Sequence, residues 1–171
     1  MLVTNLPYLD PNKELSLQAG VVLILLEKLA ETKRGKLVLN FERLQVFFYL
    51  IQKPTSLNSV LRKAGKSTAN LKYYETYSVN TVSHNIDALT DRSDLKAIIQ
   101  YLASRSLLKC EYTKSEGFVF SLSEIGAAAT AQLESVHFAD LRRLAESLIS
   151  LQTQSVTKLR QFVKFAYVGA A

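Results

Sequence analysis

The stretch 94–126 constrains the fold more than any other. From Ser93 to Gly126 it reads SDLKAIIQYLASRSLLKCEYTKSEGFVFSLSEIG. Leu95, Ile98, Ile99 and Leu102 recur at i, i+3, i+4 and i+7, the spacing of one buried helix face. Asp91, Ser93 and Asp94 precede this run and can cap its exposed amides. The pattern gives way at Ser104-Arg105-Ser106. Leu108, Cys110 and Tyr112 then alternate with Lys109, Glu111 and Thr113, the period of a half-buried strand. Lys114-Ser115-Glu116-Gly117 is polar, contains glycine and suits a hairpin turn. Phe118, Phe120 and Leu122 alternate with Val119 and Ser121 on the returning strand. Ser123 stands where a hydroxyl can accept an orphan amide at the start of the next helix.

Helix, hairpin and helix in that order form the end of a winged helix: third helix, β-hairpin wing, then a helix packed behind. The alternative is an α+β domain of another topology that contains the same run. The order of elements favours the winged helix. It does not give a function, because one fold hosts many sites.

The flanking elements fit this scheme. Residues 1–14 read as extended, with Pro7 and Pro11 opposing helix. Residues 15–32 form a helix whose centre, VVLILL, is apolar all round. Such a helix is covered on most sides, by the chain itself or by a partner subunit. Lys33-Arg34-Gly35-Lys36 is a basic turn, and Leu37 and Leu39 suit a short edge strand. Residues 41–53 form a second helix with Leu44, Phe47, Phe48 and Ile51 on one face, ended by Pro54. Thr55 or Ser56 caps a third helix through Leu57, Val60 and Leu61, stopped by Gly65. The polar segment 66–90 is too long for an ordinary turn. It is an insertion with a function or a region ordered by a partner. Residues 123–133 are helical again. From Ser135, apolar residues recur at steps of three and four up to Tyr167, without Gly or Pro. This is one long amphipathic helix or a pair, either folded back on the core or reaching a partner. The expected fold is mainly α: residues 1–36 an N-terminal segment and core helix, 37–134 a winged-helix-like domain with a β-hairpin wing and the insertion 66–90, and 135–171 a C-terminal helical arm.

Composition narrows the classes. A chain of 171 residues, 48% hydrophobic and 21% charged, has the make-up of a soluble globular domain. The net charge of +6 is shared between both halves, so no basic tail stands out. The single cysteine, Cys110, excludes a disulfide framework and fits a reducing cytoplasm. The N-terminus lacks a basic n-region and a cleavage site. The apolar run 19–26 is far short of the ~20 residues that span a bilayer.

Chemistry is sparse. His84 and His137 are the only histidines and each stands alone. One cysteine builds no zinc-type cluster. The six glycines form no phosphate loop. No spacing points to a nucleophile, base and orienting group held together. Catalytic residues, metal and cofactor are therefore expected to be none, and the chain is not expected to be an enzyme. On the predicted third helix Lys96, Gln100 and Arg105 face outward, opposed by Asp94. The wing's Lys109 and Lys114 are balanced by Glu111 and Glu116. Phosphate affinity grows with the number of cations engaged, so sequence-specific readout looks weak. A better basic patch is Arg62, Lys63, Lys66 and Lys72, interleaved with Tyr73, Tyr74 and Tyr77, which could hold a backbone and stack bases. Its bland alternative is a solvated loop.

At FERLQVFFYLIQKPTSLNSVLRKAG the chain resembles the small middle component of bacterial ABC-three-component systems. Phe41, Glu42, Arg43, Leu44, Phe48, Leu50, Ile51, Pro54, Leu57 and Asn58 carry the likeness, and the stretch ending LSEIG agrees with it. By order of elements it covers residues 15–135. The resemblance implies a non-catalytic adaptor beside an SMC- or Rad50-like ATPase and an effector, often a nuclease, as in Lamassu-type defence against phages and plasmids. DNA would be met through the complex. On that reading Leu23, Leu26, Leu148, Leu151, Leu159 and Phe162 are the expected partner-interface residues, since exposed leucines on a monomer call for a cover. The rival function is a stand-alone winged-helix transcriptional regulator that reads DNA with Lys96 and Gln100.

Overall fold

The computed structural model describes residues 14–77 and 86–168. Among them the chain is mainly α, with eight α-helices and one two-stranded antiparallel hairpin. The helices are α1 (Leu15–Leu29), α2 (Phe41–Ile51), α3 (Pro54–Lys63), α4 (Tyr73–Thr76), α5 (Ser93–Ser104), α6 (Glu124–Ala131), α7 (Val136–Leu148) and α8 (Val156–Val168). Strands β1 (Leu108–Thr113) and β2 (Gly117–Leu122) lie between α5 and α6, and 3-10 turns occupy Ile86–Leu89 and Ile149–Leu151.

Helix α1 is the centre of the fold. Its residues Ala19 to Leu26 and Leu29 are all buried. The cover comes from the chain's own α2, α5, α6, α7 and β2, which explains why α1 has no polar face in its middle. Gly20 permits a close approach of α7. A carbon added there would lie 2.7 Å from the Phe138 ring of α7.

The other helices begin and end on local signals. The Asn40 side chain caps α2 by accepting from the Arg43 amide at 2.9 Å. Pro54 does more than end α2, because it occupies the first turn of α3, where its missing N–H costs nothing. Gly65 has φ 68°, and the Lys66 amide reaches back to the Leu61 carbonyl at 2.8 Å, closing α3 as expected. Ahead of α5, Asp91 accepts from the Ser93 amide at 2.9 Å. Ser123 caps α6 through the Gly126 amide at 2.9 Å.

The hairpin runs in register from Leu108 opposite Leu122 to Thr113 opposite Gly117. The expected edge strand at Leu37 and Leu39 is reduced to two bridges, Glu31 with Leu37 and Asn40 with Val119. The Phe120 amide also donates to the Leu39 carbonyl at 2.9 Å. The reading of the hairpin faces needs correction. Cys110 and Tyr112 are exposed rather than half-buried, and so is Phe118. Val119 is the fully covered residue of β2. Docking β2 beside residues 39–40 turns Val119 inward and leaves the outer end of the opposite face open.

Residues 136–168 form a pair of helices that folds back. Helix α7 packs on α1, and α8 packs on α3 and α2. The break comes at the 3-10 turn. There buried Gln152 donates to the carbonyls of Leu29 and Glu31, at 2.7 and 2.9 Å, and so satisfies the end of α1.

Candidate functional site

A groove of about 220 Å³ opens between α1, the α2–α3 corner, α4 and α7. Leu17, Val21, Ile51 and Leu141 give it an apolar floor, and Tyr74, Glu75, His137 and Asp140 form its polar wall. The wall exists because residues 66–77, the described part of the expected insertion apart from its last residues, are held in place. Asn58 of α3 grips Ala69 twice, donating to its carbonyl at 2.9 Å and accepting from its amide at 2.7 Å. Arg143 donates to the Asn70 carbonyl at 2.6 Å and pairs with Glu75. Lys72 pairs with Asp140 at 2.5 Å, and the Tyr74 hydroxyl donates to the same carboxylate.

These contacts set the charge states of the wall. Partial burial pushes the Asp140 carboxyl up. The hydrogen bonds from Lys72 and Tyr74, with the charges of Lys72 and Arg143, outweigh it and hold Asp140 below the ordinary carboxylate range. The hydrogen bond to Asp140 raises Lys72 above the usual lysine value. Asp140 is paired with Lys72 and Glu75 with Arg143, both cations of the same chain. The groove offers an apolar floor with a charge-balanced rim, which suits an apolar side chain better than an ion.

The structure separates most of the expected nucleic-acid residues. Arg62 and Lys63 are exposed at the C-terminal end of α3, with Lys66 just beyond. Tyr74 and Glu75 line the groove with Pro54, at the N-terminal end of α3. From Pro54 to Arg62 a helix rises about 12 Å. Arg62 and Lys63 therefore stand at the far end of α3 from the groove, whereas Lys72 lies 5.7 Å from the Tyr74 ring and is engaged by Asp140. Tyr73 and Tyr77 are exposed and their rings meet at a tilt of 43°, with centroids 4.9 Å apart. Lys96 and Gln100 are exposed on α5, and Arg105 lies 4.7 Å over the Tyr101 ring. The hairpin turn is tied to the body. Glu116 pairs with Arg43 at 3.0 Å and with Lys36 at 3.8 Å, and its carbonyl accepts from Asn40 at 3.3 Å. Arg43 also donates to the carbonyls of Val38 and Gln154.

The expected partner-interface residues belong to the core. Leu23, Leu26, Leu148, Leu151 and Leu159 are between 0 and 6% exposed. Phe162 is partly buried and packs against the same cluster. They present almost no surface as folded, because the chain covers its own apolar helices. His137 is exposed on α7, and His84 lies outside the described residues. Among the described residues, no group of three or more His, Cys, Asp and Glu side chains could hold a metal ion. No helix among them is long and apolar enough to cross a membrane.

Sequence reasoning missed the exposed aromatic pair on the hairpin. Tyr112 and Phe118 are 69% and 65% exposed and meet edge to face at 5.4 Å. Period-two alternation identified their common face, but only the docking of β2 decides which part of it is covered.

Fold and site define a mainly α chain with one hairpin, whose described surface offers exposed aromatic side chains and a charge-balanced groove. Residues 29–161 match the family model described as ABC-three component (ABC-3C) system Middle Component 4, and the chain belongs to that family. Membership implies partnership with the other components of such a system. The match includes α7 and the first part of α8, beyond the expected span of 15–135, and leaves most of α1 outside. No curated protein and no solved structure matches the chain.

Proposed function

We propose that this middle component is a non-catalytic adaptor in a bacterial defence system against phages or plasmids. It docks on an SMC- or Rad50-like ATPase that also carries an effector. Family membership carries the reading, because a middle component works as one part of a larger system. Two structural features support docking over DNA reading. The chain's helix–hairpin–helix run serves as a winged-helix-like scaffold, but Arg43, Lys36 and Asn40 tie down the turn of its wing. Few cations share the exposed face of α5, which limits phosphate affinity. DNA contact by this subunit is accordingly weak and non-specific.

The docking surface is the α4 side of the groove. Tyr73 and Tyr77 are exposed there on a segment already fixed by ion pairs. Aromatic side chains held in place before binding make strong interface anchors. The test is co-expression with the products of neighbouring genes, followed by affinity capture. A large ATPase should co-purify. Replacing both Tyr73 and Tyr77 by serine should weaken its capture at least tenfold while leaving the circular dichroism unchanged. Recovery of this chain without any associated component would overturn the adaptor reading.

A further inference from the structure

We propose that β1 is the seam of a homodimer, in which two copies of this chain pair their β1 strands antiparallel about Cys110. Among the described residues, the side of strand β1 away from β2 is an open edge. The strand's only strand neighbour among them is β2, and Lys109, Cys110, Glu111 and Tyr112 are all exposed. Neither Lys109 nor Glu111 makes an ion pair with a described residue.

The parity of the ladder sets which backbone groups face outward. The Phe120 amide donates to Leu39, away from β1. Phe120 and its register partner Cys110 therefore form a non-hydrogen-bonded pair, and the amide and carbonyl of Cys110 point to the open edge. By the same alternation, so do those of Leu108 and Tyr112. Antiparallel pairing centred on Cys110 then sets Cys110 opposite Cys110, and Leu108 opposite Tyr112 on each side. About six backbone hydrogen bonds close in this register.

Charge complementarity selects the occupant. In the same register Lys109 of one copy faces Glu111 of the other, twice, and in the closer, non-hydrogen-bonded type of pair. The sequence LKCEY is self-complementary in this one alignment: apolar, basic, cysteine, acidic, apolar. Charges on an edge strand usually discourage pairing. Here they favour this register over its two neighbours, which would set Lys109 against Lys109 or Glu111 against Glu111. The pairing also brings Leu108 of the second copy beside the exposed Tyr112–Phe118 pair and extends the apolar face across both hairpins. The contact is isologous and closes as a two-fold dimer.

The experiment uses the intact chain in native mass spectrometry and light scattering, with E111K and K109E. Wild type should be a dimer. Each single variant places like charges opposite each other twice, and should weaken the dimer at least about tenfold. An equimolar mixture of the two variants restores both attractions and should form a one-to-one heterodimer. A short bis-maleimide should join wild-type chains through Cys110, the chain's one cysteine. A wild type that stays monomeric, a dimer indifferent to both substitutions, or a dimer that the reagent fails to join would overturn the proposal. So would a Cys110 protected only when other system components are added, which would assign the edge to a different occupant. Capture of an ATPase is a separate readout, so failure here leaves the adaptor reading intact.

Discussion

Asp140 shows how one residue organises a surface. It accepts from Lys72 and Tyr74 and lies 3.7 Å from Arg143, so with the Glu75–Arg143 pair it fastens α4 to α7. Its folded-state pKa is held below the ordinary value. A depressed carboxylate stabilises the fold at pH values above its ordinary pKa, and this stabilisation is lost as pH falls through the lower, folded value. D140N should therefore cost about 1 kcal/mol at neutral pH. The difference from wild type should shrink progressively in acid as the wild-type carboxylate protonates. Urea unfolding at pH 7 and at stepwise lower pH measures both. A difference that stays constant to the acid limit would show that the carboxylate's charge plays no part.

At the scale of elements, α4 is a test of how much a polar segment can be ordered by side chains alone. Asn58 does for Ala69 what a neighbouring strand would do, giving one donor and one acceptor. N58A should leave both Ala69 groups without that pairing. The cost should be about 1–2 kcal/mol, with faster amide exchange across residues 66–77 and little change in α1 or α2. Hydrogen exchange read by mass spectrometry resolves this, and unchanged exchange in 66–77 would show that Arg143 and Asp140 suffice. The contrast with the rest of the fold explains what could be read beforehand. The α2 and α5 segments and the hairpin follow apolar periodicity, α1 is a continuous apolar run, and Ser123 and Gly65 act on the backbone beside them. Such signals are local and therefore legible. The wall of the groove depends on Arg143 meeting Glu75 and on Lys72 meeting Asp140, each 68 residues away. No periodicity records such meetings. The leucines expected at an interface lie in the core, and the reason is related. An apolar stripe announces that it will be covered, but not whether the cover is the same chain.

On the scale of the whole molecule, that cover packs together segments that read as three. Helix α7 closes over α1 and α8 over α3, while Gln152 caps the end of α1 from the turn between them. Arg43 joins Val38, the hairpin turn and the α7–α8 linker. The buried residues of α8, Leu159 and Val163, belong to the same core cluster as those of α1, so neither helix has a core of its own. Unfolding should accordingly be a single transition, with far-UV circular dichroism and tyrosine fluorescence coincident in urea. Fluorescence must rely on the eight tyrosines, since the chain has no tryptophan. Deleting residues 156–171 strips the cover from α3 and the buried apolar side chains from the cluster, and burying each of these is worth about 1.5–3 kcal/mol. A typical domain has only about 5–15 kcal/mol in reserve. The shortened chain should therefore lose more helix than the 13 residues of α8, and its remaining transition should broaden. Loss of α8's share alone, with the midpoint and steepness of the rest unchanged, would show α8 to be an appendage and would return the C-terminal segment to the role of an arm.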